Sequence, residues 1–231
     1  GLIIIDEQHK FGVRQRKELS EKGGNNCDVL VLSATPIPRT LYMSLSGARN
    51  LSRIETPPKK RKPVLTAIEP YSKEIIKEAI DEELNRKGQV YFIHNRIESI
   101  MKMASITQGL CPNAKIGIAH GQMKENELEK TMKNFVNHKI DVLICTTIIE
   151  NGLDISNANT LIIDKAESFG LSQIHQLRGR VGRSEKQGYA YMLVRNEDGI
   201  THEGTQRLNA IREYSALGSG YHLAMKDLEI R

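Results

Sequence analysis

Val142-Leu-Ile-Cys-Thr-Thr147 is a run of four apolar residues that ends in two hydroxyl side chains. Similar short apolar runs, each followed by polar residues, are Gly1–Ile5 before Asp6, Val29–Leu32 before Ser33, Val90–Ile93 before His94 and Leu161–Ile163 before Asp164. Continuous apolar strands are typical of a parallel sheet that is covered on both faces. Polar residues at the carboxyl ends of such strands are typical of a binding site. The pattern therefore predicts a parallel sheet with sites along its carboxyl edge.

Helical periodicity separates the later runs. Apolar residues recur every three or four positions within Ile75–Leu84, Ile97–Ala104 and Leu128–Val136. A further helix is predicted around Leu208–Leu217, stopped by Gly218. Strands that alternate with helices indicate right-handed crossovers and an α/β fold.

Pro57-Pro-Lys-Lys-Arg-Lys-Pro63 interrupts this alternation. It has no apolar residue, its prolines disfavour a helix, and its four successive cations repel one another. We interpret it as an extended linker between two lobes, although a solvated charge run has the same composition.

Composition limits the class of protein. The chain has 231 residues, 39% of them hydrophobic, which is enough for a substantial core. The net charge of +5 is compatible with a polyanionic partner without requiring one. Three cysteines without Cys-x-x-Cys spacing indicate reduced thiols and a cytoplasmic protein, and no apolar run approaches the ~20 residues of a membrane span. Because the chain begins within a strand-like run and not at Met, we interpret it as a fragment.

The stretch Gln173-Ile-His-Gln-Leu-Arg-Gly-Arg-Val-Gly-Arg-Ser184 is dense in cations. It places Gln176, Arg178, Arg180 and Arg183 within eight residues, with two glycines that allow close approach of the backbone. Guanidinium groups bind phosphate, and an arginine that stabilises a breaking phosphoryl bond contributes roughly 10³–10⁵ in rate. The alternative is a basic, solvated helix end.

Asp6 and Glu7 directly follow the first apolar run. In the Walker B arrangement, the first carboxylate holds Mg²⁺ through water and the second orients or deprotonates the attacking water. An exposed turn at a strand end has the same composition, so the pair alone is weak evidence.

Ser33-Ala-Thr35 ends the next apolar run. On an adjacent parallel strand its hydroxyl groups could hydrogen-bond to His9 or Gln8 and couple the nucleotide site to the rest of the molecule. Thr35 before Pro36 also suits a helix cap, and both roles are compatible.

Two further strand ends carry candidate residues. Thr146–Asp154 offers hydroxyl groups, backbone N–H groups and the permissive Gly152 for a phosphate-contacting turn, with Asp154 able to accept a ribose hydroxyl. His120 follows the strand-like Ile116–Ile118, although taken singly this histidine is more typical of a structural role. We detect no metal-ligand spacing among the histidines and no Ser-His-Asp arrangement.

Taken in order, the strings Asp6–His9, Ser33–Thr35, Thr146–Ile155 and Gln176–Arg183 resemble motifs II, III, V and VI of superfamily 2 helicases and translocases. The resemblance covers nearly the whole chain. It implies two RecA-like lobes, parallel sheets with flanking helices, and ATP between them. The implied domains are an incomplete first lobe (1–56), a linker (57–63), a second lobe (64–196) and the start of a helical translocation motif (197–231).

The resemblance also implies residue roles. The implied ATP-binding residues are Asp6 (with Mg²⁺ through water), Gly152 and Asp154; the catalytic residues are Glu7, Gln176, Arg180 and Arg183; the coupling residues are His9, Ser33 and Thr35; and the residues facing DNA are Arg96, His120 and Thr146.

Longer strings are similar to one branch of that superfamily, which holds RecG-type helicases and bacterial transcription-repair coupling factors. Ala34–Thr40, Phe169–Arg178 and Gly218–Arg231 fit the branch, Ser44–Ser52 is closer to the coupling factors, and Asp6–Val13 is nearer to RecG. The implied function is ATP-driven translocation on double-stranded DNA that displaces stalled RNA polymerase and recruits nucleotide excision repair.

Two alternatives remain open at this stage, a RecG-type branch-migration or fork-reversal helicase and a non-catalytic DNA- or partner-binding module. The sequence contains no Gly-x-x-x-x-Gly-Lys-[Ser/Thr] loop to cradle phosphates. We therefore expect the chain not to hydrolyse ATP alone. RNA polymerase and the repair proteins are expected to bind through regions outside it.

Overall fold

The computed structural model describes most of the chain from residue 62 onward and shorter pieces before it. The described residues are 1–7, 12, 27–33, 46–47, 50–54, 56, 62–147, 155–195, 200–214 and 218–230. Within them lie a two-stranded and a six-stranded sheet, and every strand pair is parallel.

The larger sheet is flanked by helices, as the alternating pattern predicts. Its strands are β3 (Leu65–Pro70), β4 (Gln89–Ile93), β5 (Ile116–Ala119), β6 (Val142–Cys145), β7 (Ala158–Asp164) and β8 (Tyr189–Val194), in the spatial order β3-β8-β7-β4-β6-β5. Its helices are α1 (Lys73–Asn85), α2 (Ile97–Leu110), α3 (Glu125–Val136), α4 (Leu171–Arg178), α5 (His202–Glu213) and α6 (Gly220–Ile230), with a 3₁₀ turn at Ala166–Ser168. The predicted parallel sheet with flanking helices is confirmed.

Side chains of the central strands enter two separate cores, because successive residues of a strand point to opposite faces. Val90 and Phe92 pack with α1 and α2 on one face. Tyr91 and Ile93 pack with α3, α4 and α5 on the other face. Burial on both sides explains the continuous apolar runs.

Helix α1 illustrates how local sequence sets an element. Ser72 adopts an extended conformation before the helix, and its Oγ accepts hydrogen bonds from the N–H groups of Glu74 and Ile75 at 3.1 and 3.3 Å. This cap satisfies donors that have no partner within the helix. Ile76 and Ile80 then bury one face against the sheet.

The smaller sheet pairs β1 (Leu2–Asp6) with β2 (Asp28–Leu32), as expected for adjacent parallel strands. The prediction that the first run is buried on both faces is wrong for the described structure, since Leu2 and Ile4 are 61% and 59% exposed. Of its residues only Ile5 is buried. A two-stranded ribbon cannot cover both of its faces.

Two elements differ from the sequence-based expectation. Strand β3 was not foreseen, because its sequence Leu65-Thr-Ala-Ile-Glu-Pro70 lacks an apolar run; it lies at the sheet edge, where polar residues are tolerated. The helix predicted to reach Gly218 ends earlier, at Glu213. Gly218 has φ +83° and lies just before the separate helix α6.

Among the described helices, none is both long enough and apolar enough to cross a membrane.

Candidate functional site

Four polar residues lie in a row along the carboxyl edge of the large sheet. The register aligns Ile93 with Cys145 and Ile163, and Cys145 with Ala119. The next residue on each strand is therefore Asp164, His94, Thr146 or His120, at one level on neighbouring strands β7, β4, β6 and β5. With strands ~4.8 Å apart, the row spans roughly 14 Å.

His94 and Asp164 form the buried centre of this row. His94 Nδ1 lies 2.7 Å from Asp164 Oδ2, and His94 Nε2 lies 2.7 Å from Ser99 Oγ. Arg195 donates from Nε to Asp164 Oδ1 at 2.7 Å, and its guanidinium lies 3.7 Å above the ring of Tyr71. These contacts join the ends of β4, β7 and β8 to the first turn of α2.

The charge on Asp164 is set by its partners. Burial alone raises the pKa of this carboxyl group, but hydrogen bonds from His94 and Arg195 and the charge of Arg195 hold the pKa below its ordinary value. Asp164 is only 2% exposed, so the ionised carboxylate depends on those donors.

This Ser99–His94–Asp164 arrangement has no signature in the sequence. Asp164 lies 70 residues from His94 along the chain, and no local spacing connects them. Arg195 on the outer side of Asp164 already balances the carboxylate charge, which favours a structural role over nucleophile activation.

A cleft opens beside this buried pair. Its volume is about 160 Å³, and its lining residues are His94, Asn95, Arg96, Asp164, Lys165 and Ser168. Ligand pockets for whole small molecules are typically ~300–1,000 Å³. The cleft therefore suits a phosphate-sized group, for which its Arg, Lys and Asn side chains supply donors.

The three residues predicted to face DNA all lie on this edge. Arg96 is exposed and directly precedes α2. Thr146 is largely buried, and its N–H donates to the carbonyl of Ala119 at 3.2 Å. His120 is half-buried, and its Nδ1 has no hydrogen-bond partner among the described residues. Their role in DNA binding stays a prediction.

Glu7 and Ser33 meet at the carboxyl edge of the small sheet. Ser33 Oγ donates to Glu7 Oε2 at 3.1 Å, and the Glu7 N–H donates to Leu32 O at 2.9 Å. Glu7 has φ +49°, a costly conformation for a non-glycine residue. Ser33 therefore binds Glu7 through its hydroxyl group. The hydrogen bonds predicted from this strand end to His9 or Gln8 fall on residues outside the described ranges.

Arg178 differs from the other arginines of its stretch. It is 4% exposed and donates to the carbonyls of Ile211 and Tyr214, both at 2.8 Å. Burial lowers the pKa of Arg178 to about 10. Counting Arg178 among the phosphate-binding guanidinium groups was therefore wrong, because its donors hold the end of α5.

Gln176, Arg180 and Arg183 are half-exposed, so their side chains can reach a ligand. Gln176 lies on α4, and the two arginines follow it in the loop that leads to β8. Arg183 Nε donates to the carbonyl of Gly179 at 3.0 Å, which folds the side chain back along its own loop. Their catalytic roles stay predictions.

The remaining sequence-predicted site residues are His9, Thr35, Gly152 and Asp154, and all of them lie outside the described residues.

No cluster of three or more His, Cys, Asp or Glu side chains in the described ranges could hold a metal ion. Asp6 is exposed at the end of β1. A single exposed carboxylate fits Mg²⁺ bound mainly by water and substrate phosphates, which is the usual mode for that ion.

Comparisons with known proteins agree with this architecture. The helicase conserved C-terminal domain matches residues 72–185. The whole chain is 52% identical over 231 residues to a transcription-repair-coupling factor of Staphylococcus haemolyticus strain JCSC1435, and covers 20% of that relative. The chain thus spans about a fifth of the length of the curated relatives it matches.

Solved structures support the same family. A structure of RecG bound to a three-way DNA junction matches all of this chain and 30% of its own, with a TM-score of 0.75 and 33% identity. S. cerevisiae Dbp5 bound to RNA and ADP BeF3 matches 93% of this chain and 57% of its own, with a TM-score of 0.67; at 14% identity it supports the fold alone. The large sheet with its helices is a RecA-like helicase C-terminal lobe. Residues 72–185, just under half of the chain, are therefore a helicase conserved C-terminal domain.

Proposed function

We propose that this chain is the motor segment of an ATP-dependent translocase on double-stranded DNA, of the transcription-repair-coupling type. The observation that carries the proposal is 52% identity over all 231 residues to a protein of that name. Such a motor would displace stalled RNA polymerase and recruit excision-repair proteins through regions outside this chain. A cytoplasmic location stays a prediction.

In this proposal, the two sheets contribute different chemistry to ATP hydrolysis, with ATP as the substrate. Asp6 would hold Mg²⁺ through water, and the ion would balance phosphate charge. Glu7, fixed by Ser33, would orient the attacking water. Arg180 and Arg183 would stabilise charge on the transferred phosphoryl group. Gly152 and Asp154 would contact the nucleotide, and His9 and Thr35 would report its state.

The carboxyl edge of the large sheet would contact DNA. Arg96, Lys165 and Ser168 line a cleft of phosphate size, with Thr146 and His120 further along the same edge. Contacts of this kind go to the backbone and carry no base information. A translocase needs such contacts, since it must move over any sequence.

A RecG-type helicase is the second candidate. The observation that favours it is the match to RecG bound to a three-way DNA junction, at 33% identity over the whole chain. The Asp6–Val13 string also resembles that type more closely. The two candidates share the motor and differ in the partner that it moves.

A chimaera tests the motor. This chain would replace the matching segment of the S. haemolyticus coupling factor, and DNA-stimulated ATP turnover would be measured. We expect turnover near that of the parent, and a roughly 10³-fold loss of kcat with little change in KM for Arg183→Ala. Arg212→Ala is the control, since Arg212 is an exposed arginine on α5.

The outcomes separate the candidates. A chimaera that binds duplex DNA but never hydrolyses ATP would indicate a non-catalytic binding module. An active chimaera that reverses model forks but leaves a stalled RNA polymerase in place would favour the RecG-type reading. Turnover of Arg183→Ala within about fivefold of the chimaera, a difference of only ~1 kcal/mol, contradicts the role of that arginine.

A further inference from the structure

The loop between α4 and β8 carries Arg180 and Arg183, and its backbone comes into close contact with itself at Gly182 and Gly188. Gly182 has φ +64°, and a Cβ atom at Gly182 would lie 3.2 Å from the Cα atom of Gly188. The same Cβ atom would lie 3.2 Å from Val64 Cγ2, at the start of the lobe. The loop backbone therefore packs too closely for side chains at these two positions.

Side-chain hydrogen bonds tie the second half of this loop to the rest of the lobe. Ser184, which directly follows Arg183, donates from Oγ to Asn159 Oδ1 at 3.1 Å. Lys186 Nζ lies 3.2 Å from Asn157 Oδ1, and Gln187 Nε2 donates to the carbonyl of Pro63 at 2.6 Å. The ties reach the start of β7 and the residue before Val64.

These ties converge on an ion pair at the end of α1, between the buried Glu83 and the partly exposed Arg86. Glu83 is fully buried, and its carboxylate accepts from Arg86 and from the hydroxyl of Thr160. Asn159, the partner of Ser184, donates to the same carboxylate at 3.4 Å. Arg86 donates from Nη1 to the carbonyl of Gln187 at 2.8 Å and lies 4.7 Å above the ring of Tyr189.

Stability alone does not account for this pair. Burying the Glu83 carboxylate costs its hydration, and Arg86, whose side chain is 28% exposed, offsets only part of that cost. The surroundings are nevertheless shaped for the carboxylate, since a Cβ atom at Gly88 would overlap Glu83. Unlike apolar contacts, its hydrogen bonds have a direction, and they fix where the loop leaves the lobe.

We propose that Glu83 and Arg86, acting through Asn159 and Ser184, are positioning residues that hold Arg183 in place. Glu83 lies in the last turn of α1 and Arg86 directly follows the helix, about 100 residues before the loop in sequence, and none of these four residues was singled out from the sequence. The proposal rests on the proposed function, in which Arg183 acts on a phosphoryl group.

The first test measures the order of Arg183 in this chain by NMR. The readouts are the heteronuclear NOE of the Arg183 Nε–Hε pair and of the amides of residues 182–184. The variants are Ser184→Ala, which removes one tie, and Arg86→Lys, which keeps the charge but loses the fork-shaped set of donors. Lys77→Ala is the control, since it breaks an exposed ion pair with Asp81 on the same helix.

We expect both variants to lower the NOE at Arg183 while the amides of β6 keep their values, and the control to change neither. Glu83→Gln, nearly the same in shape, should have the same effect where it remains folded. An unchanged NOE in folded Ser184→Ala and Arg86→Lys overturns the positioning role.

The second test uses the chimaera and separates this inference from the proposed function. Ser184→Ala should lower kcat for ATP about tenfold and leave KM within about twofold, because a misplaced arginine affects the transition state more than ground-state binding. A mobile Arg183 with unchanged kcat would contradict the catalytic role of Arg183 but would agree with its positioning by Glu83 and Arg86. A rigid Arg183 with unchanged kcat would overturn the positioning role itself.

Discussion

Asp164 shows how much of a site can depend on one buried carboxylate. It joins His94, Arg195 and, through His94, Ser99, and it lies at the level where the sheet edge faces a cleft. The sequence identified Asp164 as a strand end, because it follows an apolar run. The partners were not predictable, since they lie 70 and 31 residues away and meet only when β4, β7 and β8 pair.

Asp164→Asn should destabilise the chain by about 2–3 kcal/mol at pH 7. The value lies below the ~3–5 kcal/mol for breaking a fully buried pair, because Arg195 is about a third exposed. The folded pKa of Asp164 is lowered, so its stabilisation is complete above the ordinary value near 4 and is lost as pH falls below it. The unfolding free energies of the variant and the parent should therefore begin to converge below about pH 4 and should meet only below the lowered folded pKa.

Urea unfolding at pH 7, 5 and 3.5 measures this convergence. Asp81→Asn is the control, since Asp81 pairs with Lys77 at an exposed position and should cost less than about 1 kcal/mol. A difference between Asp164→Asn and the parent that stays constant over the three pH values would mean that ionisation of Asp164 is not the source of the stabilisation.

At the scale of elements, the strands that could be predicted from the sequence are those buried on both faces of the sheet. The central strands were predictable, because burial on both faces gives continuous apolar runs. Strand β3 was not, because an edge strand is paired on one side only and keeps polar residues such as Thr66 and Glu69. The position of α5 against α4 was also not predictable, since it depends on Arg178 and two distant carbonyl groups.

Arg178→Met should loosen α5. Methionine keeps much of the side-chain length but removes the donors to Ile211 O and Tyr214 O. Tyr214 O keeps a hydrogen bond from Ser219 Oγ at 2.9 Å, so Ile211 O is the carbonyl left in need of a partner. An unsatisfied buried carbonyl costs about 1–3 kcal/mol, so we expect a loss of stability of that order. Amide exchange within residues 202–213 should accelerate more than exchange within β6.

Hydrogen exchange read by mass spectrometry distinguishes this outcome from general destabilisation. Arg212→Met is the matched control, because Arg212 lies on the same helix and is exposed. Uniform acceleration across β6 and α5 would show that Arg178 stabilises the lobe as a whole and has no particular effect on the helix.

At the scale of the whole molecule, the proposed DNA-binding edge is a row spread over neighbouring parallel strands. It offers a cleft lined by Arg96 and Lys165, whose cationic side chains suit phosphate contacts. Binding through phosphates releases counterions, so affinity should fall steeply with salt and depend little on sequence.

The chimaera should bind two unrelated duplexes with similar affinity at each salt concentration. Arg96→Ala should weaken both equally and reduce the slope of log K against log salt by about 0.9, the amount for one phosphate contact. Fluorescence anisotropy between 50 and 300 mM salt measures both effects, with Arg212→Ala as control. A preference for one duplex that persists at high salt would exclude this mode of binding.

The two sheets should also differ in local stability. Strand β6 is paired on both sides, by β4 and β5, and all four of its residues are fully buried. Strand β1 pairs only with β2 in the described structure, and its Leu2 and Ile4 side chains are mostly exposed. Amide exchange depends on the free energy of local opening, which follows buried apolar contacts.

Amides of Leu2–Ile5 should therefore exchange at least about 10³-fold faster than those of Val142–Cys145, a difference of roughly 4 kcal/mol in opening free energy. Strand β5, at an edge of the large sheet, is the control for edge position and should exchange at an intermediate rate. Native-state exchange followed by NMR gives all three rates in one sample. Equal protection of β1 and β6 at low protein concentration would mean that β1 is stabilised by contacts with the rest of this chain; protection that rises with concentration would instead indicate that a second copy covers its exposed face.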